Sequence, residues 1–366
     1  MRERVAARRA RLGVRVAVDA TPLLDPPTGV GRYVAELTRS LEVFGVDTHR
    51  YAVALGGHPP EGVHRWRVPA RSAHVLWRTF GRPTIKRLVG EVDIVHGTNF
   101  VLPPLGRAVG VLTVHDLSFF RDDTWPGGRR LRALVPWSIE RAARVLVPTD
   151  AIAREVTDRF RLAPARVVVT HEGVSPVFFS AAPLARSVLE GMGIHGRMAI
   201  AVGTIEPRKN LARLLAAWRR AADDLSGWTL VLAGPKGWGA ELPETPGVVP
   251  IGYVGDETLP GLLAAAEIFC YPSMYEGFGL PPLEAMAAGT PALVGRYSAA
   301  EEVLGDAALL VDPTDVDEIA DALVRLARDE ELRRSLAFAG RAHAAAFTWE
   351  RTARLTLDAY ESALEV

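Results

Sequence analysis

Short apolar runs alternate with amphipathic helical stretches along this chain of 366 residues, and they do so in two successive series. In the first half the strand-like runs are 14–19, 94–95, 109–114, 145–147 and 167–169. In the second they are 198–202, 228–232, 248–251, 268–271 and 308–310. Helical stretches such as 131–143 and 151–160 separate several of them. Parallel strands need a crossover before each return, so alternation of this kind predicts parallel α/β sheets. The length suffices for two domains with separate cores. The expected division is 1–180, then 181–346, then a last amphipathic helix at 347–366.

Composition narrows the function classes. Hydrophobic residues make up 48% and charged residues 23%, as in an ordinary soluble globular protein, and the formal net charge is zero. No bulk field recruits nucleic acid. The one cysteine, Cys270, falls inside an apolar run, so a disulfide is excluded and a reducing cytoplasm is expected. No apolar run reaches the ~18 residues of a spanning helix. Residues 1–13 form a basic leader, either an arm drawn to an anionic membrane surface or a disordered extension. Of 43 basic residues only Lys86, Lys209 and Lys236 are lysines.

The densest motif is Glu276-Gly277-Phe278-Gly279-Leu280-Pro281-Pro282-Leu283-Glu284. It follows the apolar strand 268–271. Pro281 suits the first turn of a helix and Gly289 suits its stop. Glu276 is therefore expected in a strand-to-helix loop and Glu284 inside the helix. The Gly277 to Leu280 backbone between them can approach an anion closely. A phosphate held there would have a carboxylate on each side for sugar hydroxyls, which predicts a nucleotide-sugar site.

Three further segments carry chemistry. In Gly203-Thr204-Ile205-Glu206-Pro207-Arg208-Lys209-Asn210, two cations precede a helix that Asn210 is placed to cap, a setting that a diphosphate neutralises. His115-Asp116 closes the strand 111–114, where a histidine serves packing as readily as chemistry. Thr28-Gly29-Val30-Gly31-Arg32-Tyr33 reads as a glycine loop opening a helix, with Thr28 as N-cap. It lacks the third glycine of a dinucleotide fingerprint, which disfavours a nicotinamide enzyme. Gly234 to Gly239 reads as a strand-end turn. Asp315-Val316-Asp317 fits a short metal-binding motif, but it sits at a helix start, where acidic residues favour the dipole.

The string from Pro272-Ser273 through Glu276-Gly277-Phe278-Gly279 to Glu284-Ala285-Met286-Ala287 and Gly289-Thr290-Pro291 resembles the EX7E signature of the retaining glycosyltransferases of family 4. The resemblance extends more weakly from residue 14 onward. It implies the GT-B fold, two doubly wound Rossmann-like domains facing a cleft, with the C-terminal helix crossing back to the first. It implies a metal-independent enzyme with no cofactor and a nucleotide-diphosphate sugar as co-substrate. Arg208 and Lys209 match the donor-diphosphate loop, Glu276 would orient the sugar, and Glu284 would hold the ribose. His115 matches the histidine that contacts the transferred sugar; Asp116 would orient the imidazole or cap a turn. Gly29 and Gly31 match the first-domain glycine loop. The strings 203–210 and 273–284 are most similar to bacterial mannosyl- and rhamnosyl-type transferases of surface polysaccharide. The expected donor is GDP-mannose, and the expected partner a glycan or lipid-linked acceptor with peripheral contact at the inner membrane face. A UDP- or dTDP-sugar transferase with a small acceptor, or a sugar-nucleotide epimerase, is the alternative.

Overall fold

The computed structural model describes residues 13–24, 28–121, 124, 126–239 and 241–365. The basic leader, apart from Gly13, lies outside the described residues. The chain divides into two compact units, Met1–Gly173 with Trp349–Val366, and Val174–Thr348.

The first unit holds seven strands, β1 (Arg15–Asp19), β2 (Asp47–Val53), β3 (His64–Trp66), β4 (Ile94–Gly97), β5 (Val109–Thr113), β6 (Ala142–Val147) and β7 (Val167–Val169). They lie in the order β3-β2-β1-β4-β5-β6-β7, and every paired neighbour is parallel. The order reverses at β1, so the helices are wound on both faces, and β1, β4 and β5 are almost wholly buried. The last helix, Trp349–Leu364, packs against β5, β6 and the helix Gly29–Val43. Its Tyr360 hydroxyl lies 2.7 Å from Nδ1 of the buried His96, and Thr352 donates to the His171 carbonyl at 2.6 Å.

The second unit holds β8 (Arg197–Val202), β9 (Trp228–Ala233), β10 (Val248–Gly252), β11 (Ile268–Tyr271), β12 (Ala292–Gly295) and β13 (Leu309–Val311), ordered β10-β9-β8-β11-β12-β13 and again all parallel. The helices Leu211–Arg220 and Val316–Arg328 pack together on one face, where Leu214, Trp218, Leu323 and Leu326 meet Leu230, Ile268 and Cys270. Burial pushes the Cys270 thiol up to about 12, so it serves as a small apolar side chain.

Three strands escape the apolar-run criterion. The first four positions of β2, Asp47 to Arg50, are polar and half-exposed; β3 is a three-residue edge strand; β12 is four residues behind Pro291. The second unit begins at Val174, a few residues before the expected boundary near 180.

Candidate functional site

In doubly wound sheets ligands bind beyond the carboxyl ends of the strands, where the order reverses. In the second unit that point lies between β8 and β11, and the loops leaving these two strands carry Arg208, Lys209 and Glu276. Pro207–Lys209 forms a single 3-10 turn. Asn210 follows in the left-handed region at φ 58°. It occupies the N-cap position of the helix Leu211–Arg220, but its side chain does not cap. Nδ2 donates instead to the carbonyls of Pro272 at 3.0 Å and Pro313 at 2.6 Å. The loop is thereby fastened beside the one that carries Glu276.

Glu276 is 7% exposed and bonded to both cations. Lys209 Nζ donates to Oε1 at 2.7 Å, the Tyr271 hydroxyl donates to the same oxygen at 3.0 Å, and Arg208 Nη1 donates to Oε2. Arg208 also reaches the Tyr275 carbonyl at 3.1 Å and Glu206 Oε1 at 2.8 Å, so its guanidinium is fixed in plane. Burial alone would raise the Glu276 carboxyl, but Arg208 and Lys209 outweigh it and hold the group at about 2. Burial lowers the Lys209 ammonium, with Glu276 opposing. The result is an ionised carboxylate under two cations, a set that suits a phosphate and sugar hydroxyls together.

The next turn explains the glycines. Gly279 sits at φ 103°, and a Cβ there would lie 3.1 Å from the Tyr297 hydroxyl. That hydroxyl is buried without a hydrogen-bond partner among the described residues. Phe278 packs edge-on against Phe347 at 5.8 Å. The helix Leu280–Ala287 then begins with Pro281 in its first turn, and Gly289 follows its end at φ 86°. Gly277 to Leu280 and Glu284 fall where expected; Glu284 lies in mid-helix and is 1% exposed. Asp315 is the N-cap of Val316–Arg328, accepting from the Asp317 and Glu318 amides at 2.8 and 3.1 Å, while Asp317 pairs with Arg220. Among the described residues no three His, Cys, Asp or Glu side chains cluster as metal ligands.

The first unit's reversal point lies between β1 and β4. His115, just past β5, is buried, and both ring nitrogens are engaged. Nε2 lies 2.9 Å from the Thr98 carbonyl oxygen and Nδ1 lies 3.2 Å from Glu172 Oε1. The Tyr33 ring meets the imidazole edge-on at 4.7 Å, and its hydroxyl bonds Thr113 at 3.0 Å. Asp116 does not orient the imidazole. Its Oδ1 accepts from the Ser118 amide at 2.8 Å and the Ser118 hydroxyl at 2.6 Å, capping a turn. The carboxylate that meets Nδ1 is Glu172, which stands 57 residues further along the chain in no local motif. Gly29 and Gly31 lie in the first turn of the helix Gly29–Val43 rather than in a loop, capped by Thr28, whose Oγ1 accepts from Gly31 N at 3.2 Å. Gly31 has a steric reason: a Cβ there would lie 3.0 Å from the Pro22 carbonyl oxygen.

Comparison with known proteins is consistent across both units. The family model of group 1 glycosyl transferases matches residues 195–343, and that of Glycosyltransferase Family 4 matches residues 27–178. The chain is 34% identical to the O-antigen chain mannosyltransferase B of Escherichia coli, over 95% of this chain and 100% of that protein. It is 34% identical to the MMP alpha-(1->4)-mannosyltransferase of Mycolicibacterium hassiacum, over 60% of this chain and 54% of that protein. The crystal structure of WaaG, a glycosyltransferase involved in lipopolysaccharide biosynthesis, superposes with a TM-score of 0.73 at 18% identity, covering 94% of this chain and 99% of that one.

Proposed function

This chain belongs to the family 4 glycosyltransferases and has their GT-B fold, and from that premise we propose that it is a retaining mannosyltransferase that takes its sugar from GDP-mannose and adds it to a surface glycan. The observation that carries the reading is Glu276, ionised and buried under Arg208 and Lys209 at the reversal point of the second sheet. Arg208 and Lys209 take up the charge that develops on the leaving diphosphate, the largest catalytic contribution in such a site. In this reading Glu276 orients the sugar through its hydroxyls, Glu284 holds the ribose, and His115 contacts the transferred sugar. The departing phosphate oxygen accepts the proton of the attacking hydroxyl as the new bond forms on the same face, so the anomeric configuration is kept. No metal is required, because two fixed cations already face the diphosphate.

Two relatives whose names specify mannosyl transfer support the sugar. A thermal-shift panel of GDP-, UDP-, dTDP- and ADP-sugars tests the donor: GDP-mannose is expected to raise Tm most. A larger rise with a UDP- or dTDP-sugar overturns that choice and favours the other transferase reading. Turnover in excess EDTA is expected to match turnover with magnesium, and a loss beyond about tenfold overturns metal independence.

Peripheral contact with an anionic membrane surface belongs to the same proposal, since it brings the enzyme to a lipid-linked acceptor. Residues 63–90 contain six arginines, one lysine and no acidic residue. The helix Ala70–Phe80 in that segment exposes Val75 at 62%, Leu76 at 38% and Phe80 at 68%. Arg71 stands close enough to the partly buried Arg130 to disfavour its charge, after burial, so cations crowd here. Guanidinium groups that meet lipid phosphates beside apolar side chains that enter the interface make up an interfacial surface. Among the described residues no helix is long and apolar enough to cross a membrane.

A further inference from the structure

His115 is recognisable from the chain; what holds it is not. Its Nε2 faces the Thr98 carbonyl oxygen, which only accepts, so that nitrogen carries a hydrogen. Nδ1 faces Glu172 Oε1, also an acceptor when ionised. A neutral ring has one hydrogen and cannot satisfy both contacts. A full hydrogen bond at Nδ1 needs a hydrogen there as well, supplied by the ring or by the acid.

The surroundings fix that arrangement. Tyr33 closes one side of the imidazole, and Phe100 meets it edge-on at 6.0 Å. The Tyr33 phenol, held on Thr113, is pushed up by burial and by Glu172, so it stays neutral. His96, bonded to Tyr360 and Thr113, is pushed down to about 3 by burial and by His115. Asp116, next in the chain, is turned onto Ser118. Glu172 itself is 6% exposed, and its second oxygen has no hydrogen-bond partner among the described residues.

We infer that Glu172 is the positioning residue of this site: through its contact with Nδ1 it fixes the plane of the His115 ring, so that the pair acts as one unit at the carboxyl edge of the first sheet. No bond is made or broken in that role. Oε1 holds the ring, and the Oε2 lone pairs stay open to a substrate hydroxyl. The inference rests on the proposed function only for what the unit does, not for its existence.

Long-range nitrogen–proton NMR of the full chain tests its existence without a substrate, with His115→Gln identifying the ring among the nine histidines. The His115 ring is expected to show a protonated Nε2, held on the Thr98 carbonyl, and an Nδ1 signal shifted by its contact with Glu172. Glu172→Gln is expected to shift the Nδ1 signal while Nε2 stays protonated against the Thr98 carbonyl. A ring signal indifferent to Glu172→Gln overturns the inference. With the donor that turns over, Glu172→Gln is expected to lower kcat about tenfold or more and to move the pH profile, with donor KM changed less. Glu172→Asp is expected to restore part of the rate. Equal kcat and an unmoved profile in Glu172→Gln also overturn it. If the NMR result holds while no nucleotide sugar turns over, the positioning role stands and the transferase reading falls.

Discussion

Glu276 balances two cations on one buried carboxylate, and its substitutions follow from that ratio. Glu276→Ala removes a preorganised contact and is expected to lower kcat roughly 10²-fold or more. Glu284→Ala is expected to act mainly on donor KM, because ribose contacts are equal in ground and transition states. An identical rise in KM for both, with kcat untouched, would refute the separate roles. A buried carboxyl can also oppose folding. Asp19, at the end of β1, is pushed up to about 6 by burial, with its Thr21 hydrogen bonds opposing. Its folded value lies above the ordinary 3.8, so its contribution favours folding at low pH and is lost as pH rises through about 6. Asp19→Asn keeps an oxygen for Thr21 and should raise stability at pH 7 by up to about 3 kcal/mol, with little effect at pH 4. Urea unfolding at the two pH values measures it, and an equal effect at both would refute the assignment. The same contrast decides what was legible. Glu276, Arg208 and Lys209 stand in compact motifs whose glycines and prolines announce the loops. Glu172 shares only space with His115, and no spacing rule reaches across 57 residues.

At the scale of elements, legibility followed burial. Strands such as β8 and β11 are buried almost throughout and read as apolar runs, whereas β2 alternates too weakly because its first half is solvated. The acidic Asp315 motif separates two explanations of one pattern, and its side chain is spent on capping. Asp315→Ala is expected to cost about 1 kcal/mol of stability and to leave turnover unchanged with or without magnesium. The helix Ala70–Phe80 offers the complementary test, because its exposed side chains do no packing that would explain them. Vesicle co-sedimentation should show binding to bilayers containing phosphatidylglycerol, little binding to pure phosphatidylcholine, and loss of binding as salt rises. Val75→Ser with Phe80→Ser should weaken it severalfold while leaving the GDP-mannose thermal shift intact. Equal binding to both lipids, or to neither, would remove this helix from the membrane proposal.

At the scale of the whole molecule, the chain leaves its first unit at Gly173, builds the second, and returns at Trp349. The returning helix is part of the first unit's core rather than an appendage. Trp349, Ala353, Leu357 and Tyr360 are buried; Tyr360 bonds His96 at 2.7 Å, and Arg144 donates to the Ser362 carbonyl at 2.7 Å. His96 in turn lies 2.7 Å from Thr113, which also meets Tyr33, so the helix connects to the side chains behind His115. Termination after Thr348 would therefore strip apolar cover from β5 and β6 and take away the Tyr360 partner of His96 Nδ1 in the core. Each large side chain lost from such a position costs about 3–5 kcal/mol, so losing several should exceed the first unit's margin. The second unit, Val174–Thr348, keeps every residue of its own core. Calorimetry of the truncated chain is expected to lose one transition and retain the other, and hydrogen exchange should lose protection in β1, β4 and β5 but not in β8 and β11. Uniform protection in both sheets of the truncated chain would show that the helix only covers a unit that folds without it; loss in both would show that the two units fold as one.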